Sequence, residues 1–582
     1  MTKEQFESLC NSKETYHVRI RSIEFTNFRN IEHGCVDLPN SGFEAFSNNE
    51  PSILGLYGQN GSGKTSVIMA LGLLKSILSG TPINAKKYAS CIRYGHDRCS
   101  LKFTFSMICI KEGLEDAFSN LAKMLPEAID TSVLSDSVFY QVEYGFDLLK
   151  EKNHSDNNES GEDDTLIVEN EYLATKPTSR SSKPLMSKQV LFDTAPEASD
   201  IYNRPFGNKT KYKLFVGNNP KIKSSLNNLK AVTRSKGLSF LFSAQFINLL
   251  ADNPMLEQKG ETFKEALSYV EATFVELNEQ YQVFQDNADL SDCDDISDKD
   301  IEQLEEKLKE LASFFSKIKD FQTISTAFII LYWFSHFGKY YLHVIETSVT
   351  GITNQNDDLP LLLWDWNDNR LLSTQFMLHM NEPSEVFERS YNHVKHAIMS
   401  ISKALSKIVP GVSLEIIDCG TKMGKKEELH RFEIESVRGD VHLPLKYESD
   451  GVRRIISILS LLIAAYNQQT FTIAIDEIDS GIFEYLLGVI LNLMGKTAKG
   501  QLIFTSHNLR PLEMLPDKFL CFTTVNPQNR FTSLKKRGNS NLRDCYFRSI
   551  VLGTNGDAIY NSTDQYDIEE AFLLAGKKDE SV

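Results

Sequence analysis

The chain has 582 residues, of which 41% are hydrophobic and 24% charged, ordinary values for a globular protein able to bury sizeable cores. A net charge of −16 excludes a protein that coats nucleic acid with its whole surface, although a local basic patch stays open. Nine cysteines are scattered without a CxxC pair, which excludes a disulfide framework or a cysteine zinc site and fits a reducing compartment.

In chain order, Met1-Thr2-Lys3-Glu4-Gln5 holds no apolar stretch behind a basic one, so no secretory signal is expected. Apolar residues at every second place in His17-Val18-Arg19-Ile20-Arg21-Ser22-Ile23-Glu24-Phe25 predict a half-buried strand, with a second at Cys35-Val36-Asp37-Leu38. Ser52-Ile53-Leu54-Gly55-Leu56-Tyr57 is almost wholly apolar and predicts a strand buried on both faces. A glycine loop and a predicted helix over 66–78 follow. Further strands are expected at 101–110 and 137–148, then an acidic insertion without apolar residues at about 151–165.

The stretch from about 224 to 407 has a mainly helical pattern, and its a/d-like spacing over 301–318 predicts a short helical hairpin. Its most apolar window, 324–337, is interrupted by polar residues and too short to span a bilayer. The reading is therefore a cytoplasmic protein with no membrane partner. Alternation returns at 412–417, 430–437 and 441–447, a helix is expected over 451–468, and apolar strands over 471–475 and 501–505.

Four motifs carry chemistry. Gly58-Gln59-Asn60-Gly61-Ser62-Gly63-Lys64-Thr65 matches G-x-x-x-x-G-K-[ST], between a strand and a helix. Glycines let the backbone turn N–H groups onto phosphate oxygens, Lys64 reaches the β- and γ-phosphates, and Thr65 ligates Mg²⁺. Gly58, Asn60, Gly61, Ser62, Gly63, Lys64, Thr65 and Ser66 are thus expected to hold ATP. Asp476-Glu477 ends an apolar strand, where Asp476 would hold the metal and Glu477 would act as general base on the attacking water. A second such strand ends in Ser506-His507, and His507 would meet the γ-phosphate or orient the water. Finally, Ser449 suits an N-cap and Gly451 permits close backbone approach; the same residues at a helix N-terminus also suit a γ-phosphate.

The order of Asn27-Phe28-Arg29, Gly58–Thr65, Ser449-Asp450-Gly451, Asp476-Glu477 and Ser506-His507 resembles the ABC-type ATPases of the SMC, RecF and OLD group. More narrowly it is similar to the OLD-like ATPases of bacterial antiphage systems, where a Ser-Asp-Gly or Ser-Glu-Gly signature replaces the usual one. The resemblance implies an α/β, ABC-type P-loop head, a mixed sheet with helices formed from N- and C-terminal lobes. Residues 1–215 and 411–550 would be the lobes, 216–410 a helical insertion, and 551–582 an acidic and lysine-rich tail. It further implies that Asp479 is the D-loop acid and His507 the switch histidine. Ser449 and Gly451 of one copy would close on the ATP of another, in a homodimer or larger assembly working with a separate nuclease or toxin as effector. Ser480-Gly481-Ile482-Phe483 departs from the Ser-Leu-His-Pro turn of many relatives, too few residues follow His507 for a Toprim nuclease, and no Q-loop glutamine is assigned.

One stretch bears on partners. From 201 to 251 there are nine Lys or Arg and no acid, with the basic residues running from Arg204 through Lys209, Lys211 and Lys213 to Lys236. A phosphate-backbone surface, docking on the chain's own acidic loops and simple solvation all remain readings of it. A RecF- or SMC-like DNA-repair ATPase and an ATP-dependent scaffold with little turnover are the rival functions.

Overall fold

A computed structural model of the chain describes residues 14–111, 137–151, 165–178, 187–194, 220–251, 326–346, 358–365, 370–424, 427–535, 541–552, 557–561 and 564–575. The alternating N-terminal segment is β1 (Glu14–Phe28), which reverses into β2 (Ile31–Asp37). Asn27 and Arg29 adopt left-handed backbone, φ 52° and 54°, to make the reversal. The apolar run becomes β3 (Ser52–Tyr57), buried throughout. Long strands β4 (Arg98–Lys111), β5 (Ser137–Glu151) and β6 (Thr165–Thr178), with β7 (Gln189–Asp193), join β1 and β2 in one antiparallel sheet of order β2-β1-β4-β5-β6-β7.

Beyond it come β8 (Leu342–Ile345), a ribbon of β9 (Asp358–Asp365) and β10 (Arg370–His379), and β11 (Ser384–Phe387). β12 (Ser413–Met423), β13 (Glu428–Arg438) and β14 (Val441–Pro444) pair with β11 in a small antiparallel sheet. The last strands are β15 (Thr472–Ile475), β16 (Gln501–Thr505), β17 (Leu520–Thr523) and β18 (Phe531–Thr532). With β3 and β8 they form the second large sheet, order β18-β17-β3-β16-β15-β8, parallel except for β18. The helices that matter below are α1 (Lys64–Leu78), α2 (Pro220–Ser235), α3 (Glu388–Ile408), α4 (Asp450–Asn467), α5 (Glu484–Thr497), α6 (Leu542–Leu552) and α7 (Gln565–Ala575).

Alternation along the parallel strands sorts side chains into two cores. Leu54, Leu56, Ala474 and Ile503 face α1 and the antiparallel sheet. Ile53, Tyr57, Ile473, Ile475, Leu502 and Phe504 face the opposite core, with side chains of α3, α4 and α5. A sheet covered on both faces needs strands apolar at every position, and that is why these runs read as continuous.

Residues 326–340 are helical, and Ala327, Phe328, Ile330, Leu331, Phe334 and Phe337 are buried in the first core. The apolar window is thus a core helix; no described helix is long and apolar enough to cross a membrane. The described residues of the mainly helical pattern of 224–407 nonetheless include four strands, β8 to β11, one of them in the parallel sheet. Short runs such as Leu342–Ile345 carry too few positions for periodicity to separate strand from helix. The a/d-like seam, Arg204 to Lys213, residues 152–164 and the last seven residues lie outside the described residues, whereas 565–575 of the expected tail form α7.

The two sheets are locked together by distant parts of the sequence. Gln501 accepts the Ile20 amide at 2.7 Å and donates to the Ile20 carbonyl at 2.8 Å, at the irregularity in β1 between Ile20 and Ser22. Arg19, wholly buried, donates to the carbonyls of Asn40 and Lys499 and lies over the Phe46 ring. Burial pulls its pKa down to about 9.

Candidate nucleotide site

Because β17, β3, β16, β15 and β8 run parallel, their carboxyl ends share one edge, and the loops leaving that edge carry the motifs. The glycine loop links β3 to α1. Gly58 has φ 149°, and a Cβ there would strike Thr523 Oγ1 on β17. Gly61 has φ 74° with open space around it, and Gly63 has φ 106° at the N-cap of α1. No side chain caps α1, so its first-turn amides suit an anion. Asn60 and Gly61 are exposed at the loop tip, while Ser62, Gly63, Lys64 and Ser66 are buried.

Lys64 folds back over this loop, donating to the carbonyls of Gly58 at 2.7 Å and Gln59 at 3.1 Å. Burial lowers its pKa, and the nearby charges of Asp476, Glu477 and Asp479 oppose that fall. A buried ammonium aimed into a glycine loop, with acids beside it and carbonyls as its hydrogen-bond acceptors, is ready to exchange those carbonyls for phosphate oxygens. Thr65 donates to Asp476 Oδ1 at 3.3 Å. That hydroxyl and carboxylate are hard oxygen donors of the kind Mg²⁺ takes, so these residues fit the ion.

Asp476 and Glu477 leave β15 as one unit. Thr505, at the end of β16, donates to Asp476 Oδ1 at 2.6 Å and accepts the Glu477 amide at 2.7 Å. Glu477 adopts left-handed backbone, φ 49°, a conformation that is costly outside glycine and turns the residue off the strand line. Asp479 accepts the amides of His507 at 3.2 Å and Asn508 at 3.0 Å. The loops after β15 and β16 are therefore fixed to each other, with His507 exposed beside them.

Ser449 is the N-cap of α4 and accepts the Val452 amide at 3.4 Å. Its neighbour Glu448 is buried, bound by Ser436 at 2.6 Å and by Arg438 at 2.8 Å. Gly451 sits directly against the loop after β15: a Cβ on it would lie 2.6 Å from the Gly481 carbonyl oxygen. The structure thus brings Lys64, Thr65, Asp476, Glu477, Asp479 and His507 together. Among the described residues, no hydrogen bond joins Ser449 or Gly451 to the glycine loop of the same chain.

Several supports are not visible in the motifs. Asn30, in the β1–β2 turn, donates to the Gly61 carbonyl and receives a 3.3 Å hydrogen bond from Ser66. Arg530 donates to the carbonyls of Asn30 at 2.5 Å and Thr524 at 2.7 Å, and Ser62 bonds Thr523. Gln59 accepts the Asn561 amide at 3.0 Å. The only available sequence signal is their polarity next to predicted strand ends. In the basic stretch, Arg234 on α2 pairs with Glu151 at 3.4 Å and with Glu169.

No curated protein sequence matches the chain. Among solved structures, the Smc head domain with an extended coiled coil bound to the C-terminal domain of ScpA, from Pyrococcus furiosus, is 12% identical. That alignment covers 89% of this chain and 96% of that chain, with a TM-score of 0.31. The Smc head domain with a coiled coil and joint from Pyrococcus yayanosii is also 12% identical, covering 89% and 97%, with a TM-score of 0.31. A family profile described as AAA ATPase domain matches residues 19–510, a span that includes the glycine loop, Asp476-Glu477 and His507. The chain belongs to this family of AAA ATPase domains, and its fold is mixed α/β.

Proposed function

We propose that the chain hydrolyses ATP with Mg²⁺ at the site built by Lys64, Thr65, Asp476, Glu477 and His507. The observation that carries this reading is the chain of contacts Thr65–Asp476–Thr505–Glu477 beside the Lys64 loop. In it, the amides of Gly61, Ser62 and Gly63, with Asn60 and Ser66 flanking, cradle the phosphates, and Lys64 neutralises the β- and γ-phosphate oxygens. Thr65 and Asp476 would hold Mg²⁺, whose charge stabilises the phosphate oxygens as the bond breaks. Glu477 accepts a proton from the attacking water as its oxygen bonds the γ-phosphorus and the bridge to the β-phosphate breaks. His507 faces the γ-phosphate and orients that water.

The second half of the site is supplied by another copy. Ser449 caps α4 and Gly451, in its first turn, lies against Gly481; among the described residues neither has a hydrogen bond to its own glycine loop, which supports their meeting a partner's γ-phosphate. The assembly is a homodimer or higher homo-oligomer, acting as a sensor or regulator in antiviral defence through a separate nuclease or toxin. This last step is supported by the likeness of Ser449-Asp450-Gly451 to OLD-like signatures. A RecF- or SMC-like DNA-repair role fits the same site. Salt-dependent DNA binding, weakened by reversing Lys209, Lys211 and Lys213, would favour that reading.

The test is turnover per chain against protein concentration, with light scattering in ATP and Mg²⁺. A shared site predicts turnover that rises with concentration, a mass that doubles with ATP, and loss of both in Ser449→Arg. Concentration-independent turnover by a monomer would refute the shared site.

A further inference from the structure

The second turn of α4 carries a cation with unused donors. Arg454 buries its Nε and Nη2 atoms with no hydrogen-bond partner; Arg453 beside it leaves Nε unmet as well but engages Asp450 through Nη2. Unmet guanidinium donors inside a protein are costly, so their retention asks what uses them. The position of Arg454 answers in part. Gly451 touches the Gly481 carbonyl, Arg454 stands three residues further along on the same side of the helix, and Glu477 precedes Gly481 by four residues in the adjoining loop. The charge of Glu477 counteracts the fall that burial imposes on the Arg454 pKa, so the two groups sense each other. Among the described residues no hydrogen bond fixes the Glu477 carboxylate. Its backbone is held, by left-handed φ and by Thr505, but its side chain is not.

We propose that Arg454 is a positioning residue for Glu477: its guanidinium, carried on the helix that Ser449 caps, is the cation that aims the carboxylate at the attacking water. Any movement of α4 when Ser449 and Gly451 engage a partner's nucleotide then reaches the general base of its own chain. This inference rests on the general-base role proposed for Glu477.

The full chain is assayed as Arg454→Gln, Arg454→Lys, Glu477→Gln and the Arg454→Gln/Glu477→Gln double variant, for steady-state turnover and for affinity toward a fluorescent ATP analogue. Arg454→Gln should lower kcat by about tenfold or more while KM and analogue affinity move less than about threefold, the signature of a group that acts in the transition state. Arg454→Lys, which keeps the charge, should recover part of the loss. In the Glu477→Gln background the arginine change should alter residual turnover by less than about twofold, since both act through one carboxylate. Wild-type kcat in Arg454→Gln, no recovery by lysine, or a full additive loss in the double variant each overturns the inference. Should Arg454→Gln fail to fold, Arg454→Lys decides: a kcat between that of wild type and Glu477→Gln, at unchanged KM, supports the inference, and wild-type kcat or a raised KM overturns it. Failure of the general-base reading looks different, because Glu477→Gln itself would then turn over normally.

Discussion

Thr505 and Asp476 share a buried 2.6 Å hydrogen bond, and the same threonine hydroxyl receives the Glu477 amide at 2.7 Å. One side chain on β16 therefore sets the direction of both acids at the end of β15. Thr505→Val keeps the shape and removes the hydroxyl. We expect about a tenfold fall in kcat with ATP affinity changed less than about threefold, because the loss falls on orientation of the acids and not on the phosphate cradle. Steady-state kinetics beside analogue binding checks it, and an unchanged kcat would deny Thr505 this role.

Gly58 tests the cradle itself. With φ 149° and Thr523 Oγ1 in the way of any Cβ, Gly58→Ala must shift the loop or the end of β17. The expected outcome is ATP affinity weakened about tenfold or more, with a stability cost of roughly 1–3 kcal/mol from backbone strain. Titration with the fluorescent analogue and thermal melting read the two effects separately.

Some of this organisation is legible in the sequence, and the divide is physical. The strands and helix around the glycine loop are local patterns: a buried apolar run, a glycine turn, then a helix. The same holds for the strands before Asp476 and before Ser506. By contrast, the Gln501 amide that bonds both backbone groups of Ile20 spans 481 positions, and the Arg530 bond to Asn30 spans 500. Polar residues with such partners look like any solvated turn until the fold brings them together. Arg19 shows the same limit: strand alternation assigns it to a polar face, yet it is wholly buried. β8 was hidden for another reason, since the four residues Leu342-His343-Val344-Ile345 after a helix are too few to carry a periodicity of their own.

Glu171 is a structural keystone of this hidden kind. Buried in β6, it accepts from Tyr144 at 2.7 Å, Ser239 at 2.5 Å, and the amides of Phe240 at 2.7 Å and Leu241 at 3.3 Å. Removing the carboxylate strands those donors. Glu171→Ala should destabilise the chain by about 2–4 kcal/mol, with Glu171→Gln costing less, as measured by denaturant melts. ATP affinity of the folded fraction should be unchanged.

Stability should also fall on mild acidification. Burial lowers the pKa of His17 and of His336 from 6.5 to about 4, and that of His343 to about 3, with neighbouring cationic charges adding to each shift. These rings stay neutral in the fold while the unfolded chain takes up protons below pH 6.5. Their contribution is thus complete above pH 6.5 and is lost as pH falls toward 4, with a slope approaching about 1.4 kcal/mol per pH unit for each histidine. Urea midpoints at pH 7, 6 and 5 should decline, and His343→Phe should flatten the decline. A flat profile would contradict the assignment.

In the proposed reaction Glu477 activates water for an ATP held by Lys64, Thr65 and Asp476. Single-turnover hydrolysis of radiolabelled ATP by Glu477→Gln measures this most directly, with nucleotide binding followed in the same sample. Near-normal ATP affinity and hydrolysis slowed by about a hundredfold or more are expected. Normal hydrolysis by that variant, with ATP bound as tightly as in the wild type, would contradict it.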